Sequence, residues 1–236
     1  MKLICFDLDD TLWDFEPVLS RAEAELQDWL LQYYPDFAHT NSVAALAARR
    51  KQLLQERNDL RHDIGRLRLL SMQLAAEQCS YSTTEAKRLA IAAFKIFMRY
   101  RNAVTLYDDV VPVLERLRTD YQLCSLTNGN VDLISTGAAD LFHHRLSAHE
   151  VGAAKPAPAM FLRACELAGV EPVHSLHVGD DAENDIFAAR AVGMKTAWIN
   201  RKGIDWAHEQ RADAEIRDLF ELEQALENSF TNLRQS

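Results

Sequence analysis

The chain has 236 residues, of which 26 are Lys or Arg and 35 are Asp or Glu; its formal net charge is −9 and 48% of it is hydrophobic. That length supports a sizeable hydrophobic core, either as one large domain or as a core with an inserted subdomain. The acidic balance excludes a general nucleic-acid surface, which needs a clustered excess of Lys and Arg, but not a small phosphorylated ligand held by one metal ion and a few local donors.

The first apolar run, Leu3–Phe6, meets acidic residues at Asp7. It is too short and too soon acidic for a signal peptide, and no stretch approaches the roughly 18 uninterrupted apolar residues of a membrane span. No membrane association is expected. The four cysteines, Cys5, Cys79, Cys124 and Cys165, form no CxxC pair. Cys5 and Cys124 sit in apolar runs and read as buried reduced thiols, which makes the cytoplasm the expected location.

Beyond residue 14 the pattern changes. No proline lies between Pro35 and Pro112, and Gly65 is the only glycine before Gly129, so this stretch predicts several consecutive helices. Leu60, Ile64, Leu67 and Leu74 fall near one helical face, as do Leu89, Ala93 and Phe97, and Ser82 or Thr83 is the expected N-cap of the last helix. Short apolar runs then return at 123–126, 175–178 and 196–199, interleaved with helix-like segments at 111–118, 159–168 and 186–192. Buried strands alternating with helices predict an α/β fold with a doubly wound parallel sheet. Residues 1–13 and 104–236 would form that core, with the all-helical block 14–103 inserted after the first strand. The tail beyond Thr231 is expected to fray.

The chemistry gathers at predicted strand ends, where open α/β sheets bind their ligands. The first strand delivers Asp7-Leu8-Asp9-Asp10-Thr11. Carboxylates this close repel one another, and a divalent cation of magnesium type removes the repulsion; the alternative is an acidic helix cap. Thr127-Asn128-Gly129 ends the next strand with a hydroxyl, an amide and a glycine, although such a triplet is also an ordinary turn. Lys155 stands before Pro156 at a helix entry, where a lone lysine is either a positioned cation or a solvated charge. His177-Val178-Gly179-Asp180-Asp181, with Asp185 further on, supplies a second acidic group. His177 reads as a satisfied core histidine. His62, His143 and His144 show no metal-ligand spacing, and most of the basic residues between Arg49 and Arg68 read as a solvated helix face, the alternative being that one of them touches substrate.

Taken in order, a DxDxT turn, a hydroxyl-bearing turn, a lysine and a GDD turn resemble the four motifs of the haloacid dehalogenase superfamily. The helical block likewise resembles the cap of its first subclass. The resemblance implies a Rossmann-like core and a magnesium-dependent phosphatase that acts through an aspartyl-phosphate. Asp7 matches the nucleophile and Asp9 the general acid and base. Asp9 would need its pKa raised by about three units, on the order of 4 kcal/mol, to be a competent acid at neutral pH, unless it is protonated only transiently. Asp7 and Asp180, with the Asp9 main-chain carbonyl, match the Mg2+ ligands. Thr127, Asn128 and Lys155 match the groups that bind the phosphoryl oxygens. Asp185 is implied just outside the ligands, where a carboxylate orients coordinated water. Asp181 is left either in that surrounding ring or as a neighbour of the metal, and Asp10 is read as a local hydrogen-bonding residue.

The surroundings DLDDTLWD, LTNGN and HVGDDAENDI resemble more narrowly a flavin mononucleotide phosphatase-like branch, which acts on phosphates of the riboflavin pathway. Other small phosphorylated metabolites, namely sugar phosphates and nucleoside monophosphates, remain alternatives, as do a phosphomutase and a non-catalytic binding protein on the same scaffold. Haloalkanoate dehalogenases of the superfamily lack the second aspartate and need no magnesium, so Asp9, Thr11 and the Asp180 group argue against dehalogenation. Trp13 is read either as a flank for a planar substrate or as a buried aromatic. The sequence leaves the oligomeric state open.

Overall fold

The computed structural model describes residues 1–228, and the expected fraying beyond Thr231 lies outside them. The chain divides into two compact units: Met1–Asp14, Thr105–Gly129 and Gly137 onward make one, and Phe15–Val104 with Asn130–Thr136 make the other. The second takes in a short segment, Asn130–Thr136, that the division read from the sequence places in the α/β half.

The first unit is built on six strands: β1 (Leu3–Phe6), β2 (Gln122–Thr127), β3 (His144–Ser147), β4 (Ser175–Gly179), β5 (Lys195–Ile199) and β6 (Ala214–Ile216). They form one sheet in the order β3-β2-β1-β4-β5-β6, and every pair is parallel. All four residues of β1 are fully buried, as expected of a central parallel strand covered on both faces. Leu3 and Cys5 pack with Cys124, Leu126 and the helix Ala159–Ala168, through Met160, Phe161 and Ala164. By the two-residue alternation Ile4 and Phe6 face the other way, where Phe6 meets Phe142 edge-on at 6.3 Å. The helix Ala159–Ala168 ends at Gly169, whose φ of 63° is a left-handed conformation that only glycine adopts without strain.

The strand order places the functional loops. From β1 the chain builds outward through β2 to β3, then returns past β1 to β4 and builds the other way. This reversal is a topological switch point, and the crevice beyond the carboxyl ends of β1, β2 and β4 is where such sheets hold ligands. Phe6 is in register with Ser125 of β2 and Val178 of β4, so Asp7 is level with Leu126 and Gly179, and Thr127 ends β2 one residue further on.

The second unit holds helices Phe15–Tyr33, Pro35–Thr40, Val43–Glu56, Ile64–Gln78 and Thr83–Arg101. Leu26, Leu30, Phe37, Met72, Leu89, Ala93 and Phe97 are among its buried core residues. Of the two expected caps for the last helix it is Ser82 that serves: its hydroxyl accepts from the Glu85 amide while the Glu85 carboxylate accepts from the Ser82 amide, a full capping box. Of the face read through Leu60, Ile64, Leu67 and Leu74, three residues, Leu60, Leu67 and Leu74, pack in one cluster, though not on one continuous helix. Leu60 belongs to a separate 3-10 turn, the helix starts only after the Asp63 cap, and Ile64 is exposed, whereas Leu60 and Leu67 pack with Leu53. No helix among the described residues is long and apolar enough to cross a membrane.

Candidate active site

Asp7 sits one residue beyond β1, its amide donating to the Val178 carbonyl at 2.9 Å, so the strand ladder itself fixes its backbone. One of its carboxylate oxygens, Oδ1, accepts from Lys155 Nζ at 2.5 Å. The same ammonium donates to Asp185 Oδ1 at 2.6 Å. Asp7, Asp180 and Asp185 each present an oxygen within 4.8 Å of the other two. The two acidic clusters, far apart in sequence, therefore converge around one lysine.

Each partner is held by its local chain. Lys155 is fixed through its backbone by Asn128, whose side-chain oxygen accepts from the Lys155 amide at 2.7 Å and whose side-chain nitrogen donates to the Lys155 carbonyl at 2.8 Å. Both ends of that side chain are occupied in this way, whereas the motif resemblance implies substrate binding for Asn128. The Lys155–Pro156 bond is cis. Thr127 Oγ1 accepts from the Gly129 amide at 2.8 Å, curling the turn after β2.

Asp185 reaches the site because β4 ends in glycine. A Cβ built on Gly179 would lie 2.3 Å from the Asp185 Cγ, well inside contact distance, so no other residue fits beneath that carboxylate. The segment Ala182–Phe187 is a π-helix, in which the Ile186 amide reaches the Asp181 carbonyl at 3.2 Å. This wide turn, frequent at functional sites, brings Asp185 back over the end of β4. Asp181 caps it by accepting from the Glu183 and Asn184 amides, while its own amide donates to Asp185 Oδ2 at 3.1 Å. Gly179→Ala is therefore expected to destabilise the protein by about 3 kcal/mol and to displace Asp185. Chemical denaturation, with activity measured alongside, checks both effects.

The first turn is braced on its other side. Thr11 Oγ1 lies 3.4 Å from Asp180 Oδ1, and Trp198 donates its indole N–H to the Asp180 carbonyl at 2.7 Å. Arg201 donates from Nε to the Thr11 carbonyl at 2.8 Å and forks onto Asp109 at 3.2 and 3.0 Å. Asp109 also accepts from the Leu219 amide at 2.6 Å, so one buried ion pair ties the motif turn to two helix starts. Trp13 is completely buried and its indole N–H donates to Asp9 Oδ1 at 2.8 Å, so it orients that carboxylate and offers no face to a substrate. Asp10 adopts φ 58°, and Lys202 reaches its carboxylate at 3.1 Å.

Burial pushes the Asp7 carboxyl well above the ordinary range, a rise that Lys155 opposes and that Asp185 and Asp180 reinforce. Burial, with the charges of Asp185 and Asp10, pushes Asp180 up to about 7. Burial also acts upward on Asp185, but Lys155 and His177 outweigh it and hold this carboxyl well below the usual range. Against its burial, Asp185 and Asp7 keep the Lys155 ammonium charged far into the alkaline range. Three carboxylates facing one ammonium leave surplus negative charge, which either protons or a divalent cation can neutralise. All the donors are oxygens, the set that suits magnesium.

The motif residues were legible from the sequence, but the bracing was missed. Arg201 and Asp109 carry no spacing signal, since each is a single charge in an ordinary context. His177, expected to be a satisfied core residue, uses only one ring nitrogen: Nε2 lies 2.8 Å from Asp185 Oδ1, and Nδ1 has no partner among the described residues.

The model of the haloacid dehalogenase-like hydrolases matches residues 1–193. Among curated proteins, the chain is 31% identical to the 5-amino-6-(5-phospho-D-ribitylamino)uracil phosphatase YigB of Escherichia coli, over 87% of this chain and 86% of that protein. It is 29% identical to a phosphoserine phosphatase of Thermus thermophilus, over 94% and 98%. Among solved structures, a 2-haloacid dehalogenase from Pseudomonas syringae pv. Tomato DC3000 superposes with a TM-score of 0.92 at 39% identity, over 96% of this chain and 98% of that one. A phosphatase of the same fold from Thermococcus onnurineus superposes with a TM-score of 0.69 at 29% identity, with the same coverage. The strand order, the switch-point position of the acidic groups and these matches agree: the chain belongs to the haloacid dehalogenase-like hydrolases.

Proposed function

We propose that this phosphoric monoester hydrolase works through a covalent intermediate on Asp7 and depends on magnesium. The observation that carries the reading is the Lys155 ammonium clamped between Asp7 and Asp185, with Asp180 within 4.8 Å of both carboxylates. Lys155 occupies one oxygen of Asp7 and leaves the other to attack phosphorus. As that oxygen bonds, the bond from phosphorus to the leaving oxygen breaks, and Asp9, oriented by Trp13, delivers a proton to the departing group. Water then attacks the aspartyl-phosphate, Asp9 takes its proton, and phosphate leaves with Asp7 restored. Thr127 and Lys155 stabilise the phosphoryl oxygens, and Asn128 acts by fixing the Lys155 backbone.

Asp7 and Asp180, with the Asp9 main-chain carbonyl, would hold magnesium, which when bound supplies positive charge to the phosphoryl oxygens. Asp185 is engaged by Lys155, His177 and the Asp181 amide, which suits a place beside the ligands rather than among them. Asp181 is occupied in capping. The pKa directions allow a test that needs no substrate. Asp180 rises from about 3.9 when unfolded to about 7 when folded. A raised carboxyl favours the fold below its unfolded value, and that contribution is lost as pH climbs through its folded value. The contribution of Asp180 to the stability of the metal-free protein should therefore fall between about pH 4 and 7, seen as the difference between the parent and Asp180→Asn, and magnesium should raise the melting temperature of the parent more at about pH 8 than at about pH 5.5. Differential scanning calorimetry measures both.

For substrate, the likeness to YigB supports flavin mononucleotide or another phosphate of the riboflavin pathway. The division into a catalytic core (1–13 and 104–236) and a helical cap (14–103) is part of the same proposal. The similar 2-haloacid dehalogenase structure favours a second reading, dehalogenation, in which Asp7 attacks carbon. Asp9 separates the two, since displacement of halide requires no acid. Assays of an aryl phosphate, a phosphometabolite panel including phosphoflavins, and a 2-halocarboxylate, each with and without magnesium, decide between them. Metal-dependent phosphate release supports the proposal, and halide release alone refutes it. Asp9→Asn is expected to lower kcat by about a hundredfold or more while changing KM little. A variant that loses only affinity would refute the acid role.

A further inference from the structure

The imidazole of His177 lies outside every step above, yet it is fully buried beside the reacting groups. It stands on β4 two residues before Gly179, so the strand alternation puts it on the face that the missing Gly179 side chain opens to Asp185. Its Nε2 lies 2.8 Å from Asp185 Oδ1, the oxygen that also accepts from Lys155. The ring stands edge-on to Phe161 at 5.1 Å, and its Nδ1 meets no hydrogen-bonding group among the described residues.

These contacts fix the tautomer. With the proton on Nδ1, a buried donor would be unsatisfied and the Nε2 lone pair would face a carboxylate oxygen, which is unfavourable twice over. With the proton on Nε2, the ring donates to Asp185 and only a bare acceptor is unpaired. We infer that His177, as the neutral Nε2–H tautomer, is a positioning residue for the proposed phosphoryl transfer: it anchors Asp185, which sets Lys155 against the nucleophile Asp7. Asp185 is then held from three directions, by His177 and Lys155 on Oδ1 and by the Asp181 amide on Oδ2. Without the His177 donor the carboxylate keeps one contact on each oxygen, Lys155 on Oδ1 and the Asp181 amide on Oδ2, so it is held less firmly and so is the ammonium it positions.

The inference rests on the phosphatase reading for its kinetic consequence, but not for its geometry, and the test separates the two. His177→Leu removes the donor and keeps an apolar side chain. His177→Gln places an amide N–H close to the position of Nε2. With saturating magnesium and an aryl phosphate, the leucine variant is expected to lose about tenfold or more in kcat with little change in KM, and glutamine to recover most of that loss. Should the leucine variant fail to fold, His177→Asn replaces it, because its shorter amide stops near the Nδ1 position and does not reach Asp185. Nitrogen-15 NMR supplies the readout independent of activity. The wild-type ring should carry its proton on Nε2, and the Lys155 ammonium signal should exchange slowly in the wild type and glutamine variant but broaden in the leucine or asparagine variant. Wild-type kcat without the donor, equal impairment with and without it, a proton on Nδ1, or an unchanged Lys155 signal would each overturn the inference. A wild-type protein that releases no phosphate would instead sink the phosphatase reading, and the Lys155 signal alone would then judge the anchoring.

Discussion

Replacing Asp7 by Asn is expected to lower phosphate-ester turnover by about four orders of magnitude or more and to abolish the covalent phosphoenzyme. The amide is nearly the same size as the carboxylate, so the change is chemical rather than steric. An amide oxygen is a poor nucleophile, and one negative charge is removed from a cluster where three carboxylates lie within 4.8 Å of one another. Burial and the neighbouring Asp185 and Asp180 disfavour the charged form of Asp7, and only Lys155 opposes them. The metal-free variant should therefore fold at least as stably as the parent while being inactive. That pairing distinguishes loss of a nucleophile from loss of structure. Quenched reactions with radiolabelled substrate would test it: label on the Asp7→Asn variant at parental levels contradicts the assignment.

The other large effect is expected at Lys155. Its side chain is 2% exposed and pairs with Asp7 and Asp185, exposed by 12% and 1%. Lys155→Met fills a similar volume but leaves two buried carboxylates without their cation, and removing one partner of a buried ion pair destabilises by about 3–5 kcal/mol. The sign of the pH dependence follows from Asp185, whose low pKa depends on Lys155. Once that support is gone Asp185 protonates more readily, so the deficit relative to the parent should be largest near neutral pH and shrink as acid supplies the missing proton. Denaturant unfolding of both proteins across this range measures it. A deficit that is uniform with pH would mean that Lys155 acts through packing alone.

These effects can be set against what the residues themselves disclose. The strands β1, β2, β4 and β5 were legible because they are covered on both faces and read as short, mainly apolar runs. β3 and β6 were not, because each lies at an edge of the sheet and is partly exposed, as in His144-Arg145-Leu146-Ser147, so no such run forms. The π-turn before Ala188 is equally silent, since one extra residue in a helical turn leaves no mark in composition. For the site, motif order foretold that Asp7, Lys155, Asp180 and Asp185 would be neighbours. Their mutual support depends on contacts between segments remote in sequence. Asn128 commits its amide to the Lys155 backbone, Arg201 links Thr11 to Asp109, and His177 reaches Asp185 across the gap left by Gly179. None of these pairings has a fixed spacing that a pattern would reveal. The glycine that precedes Asp180 is the exception in retrospect: its reason is steric and is visible only with Asp185 in place.

The central claim is that carboxylates from opposite ends of the core share one divalent ion beside an attacking aspartate. A crystal structure of the protein with magnesium and beryllium fluoride tests this most directly. The account predicts beryllium bonded to a carboxylate oxygen of Asp7, with one magnesium ion coordinated by both Asp7 and Asp180 and Lys155 directed at the fluorides. Beryllium fluoride bound elsewhere, or a magnesium ion that leaves either Asp7 or Asp180 uncoordinated, would contradict it.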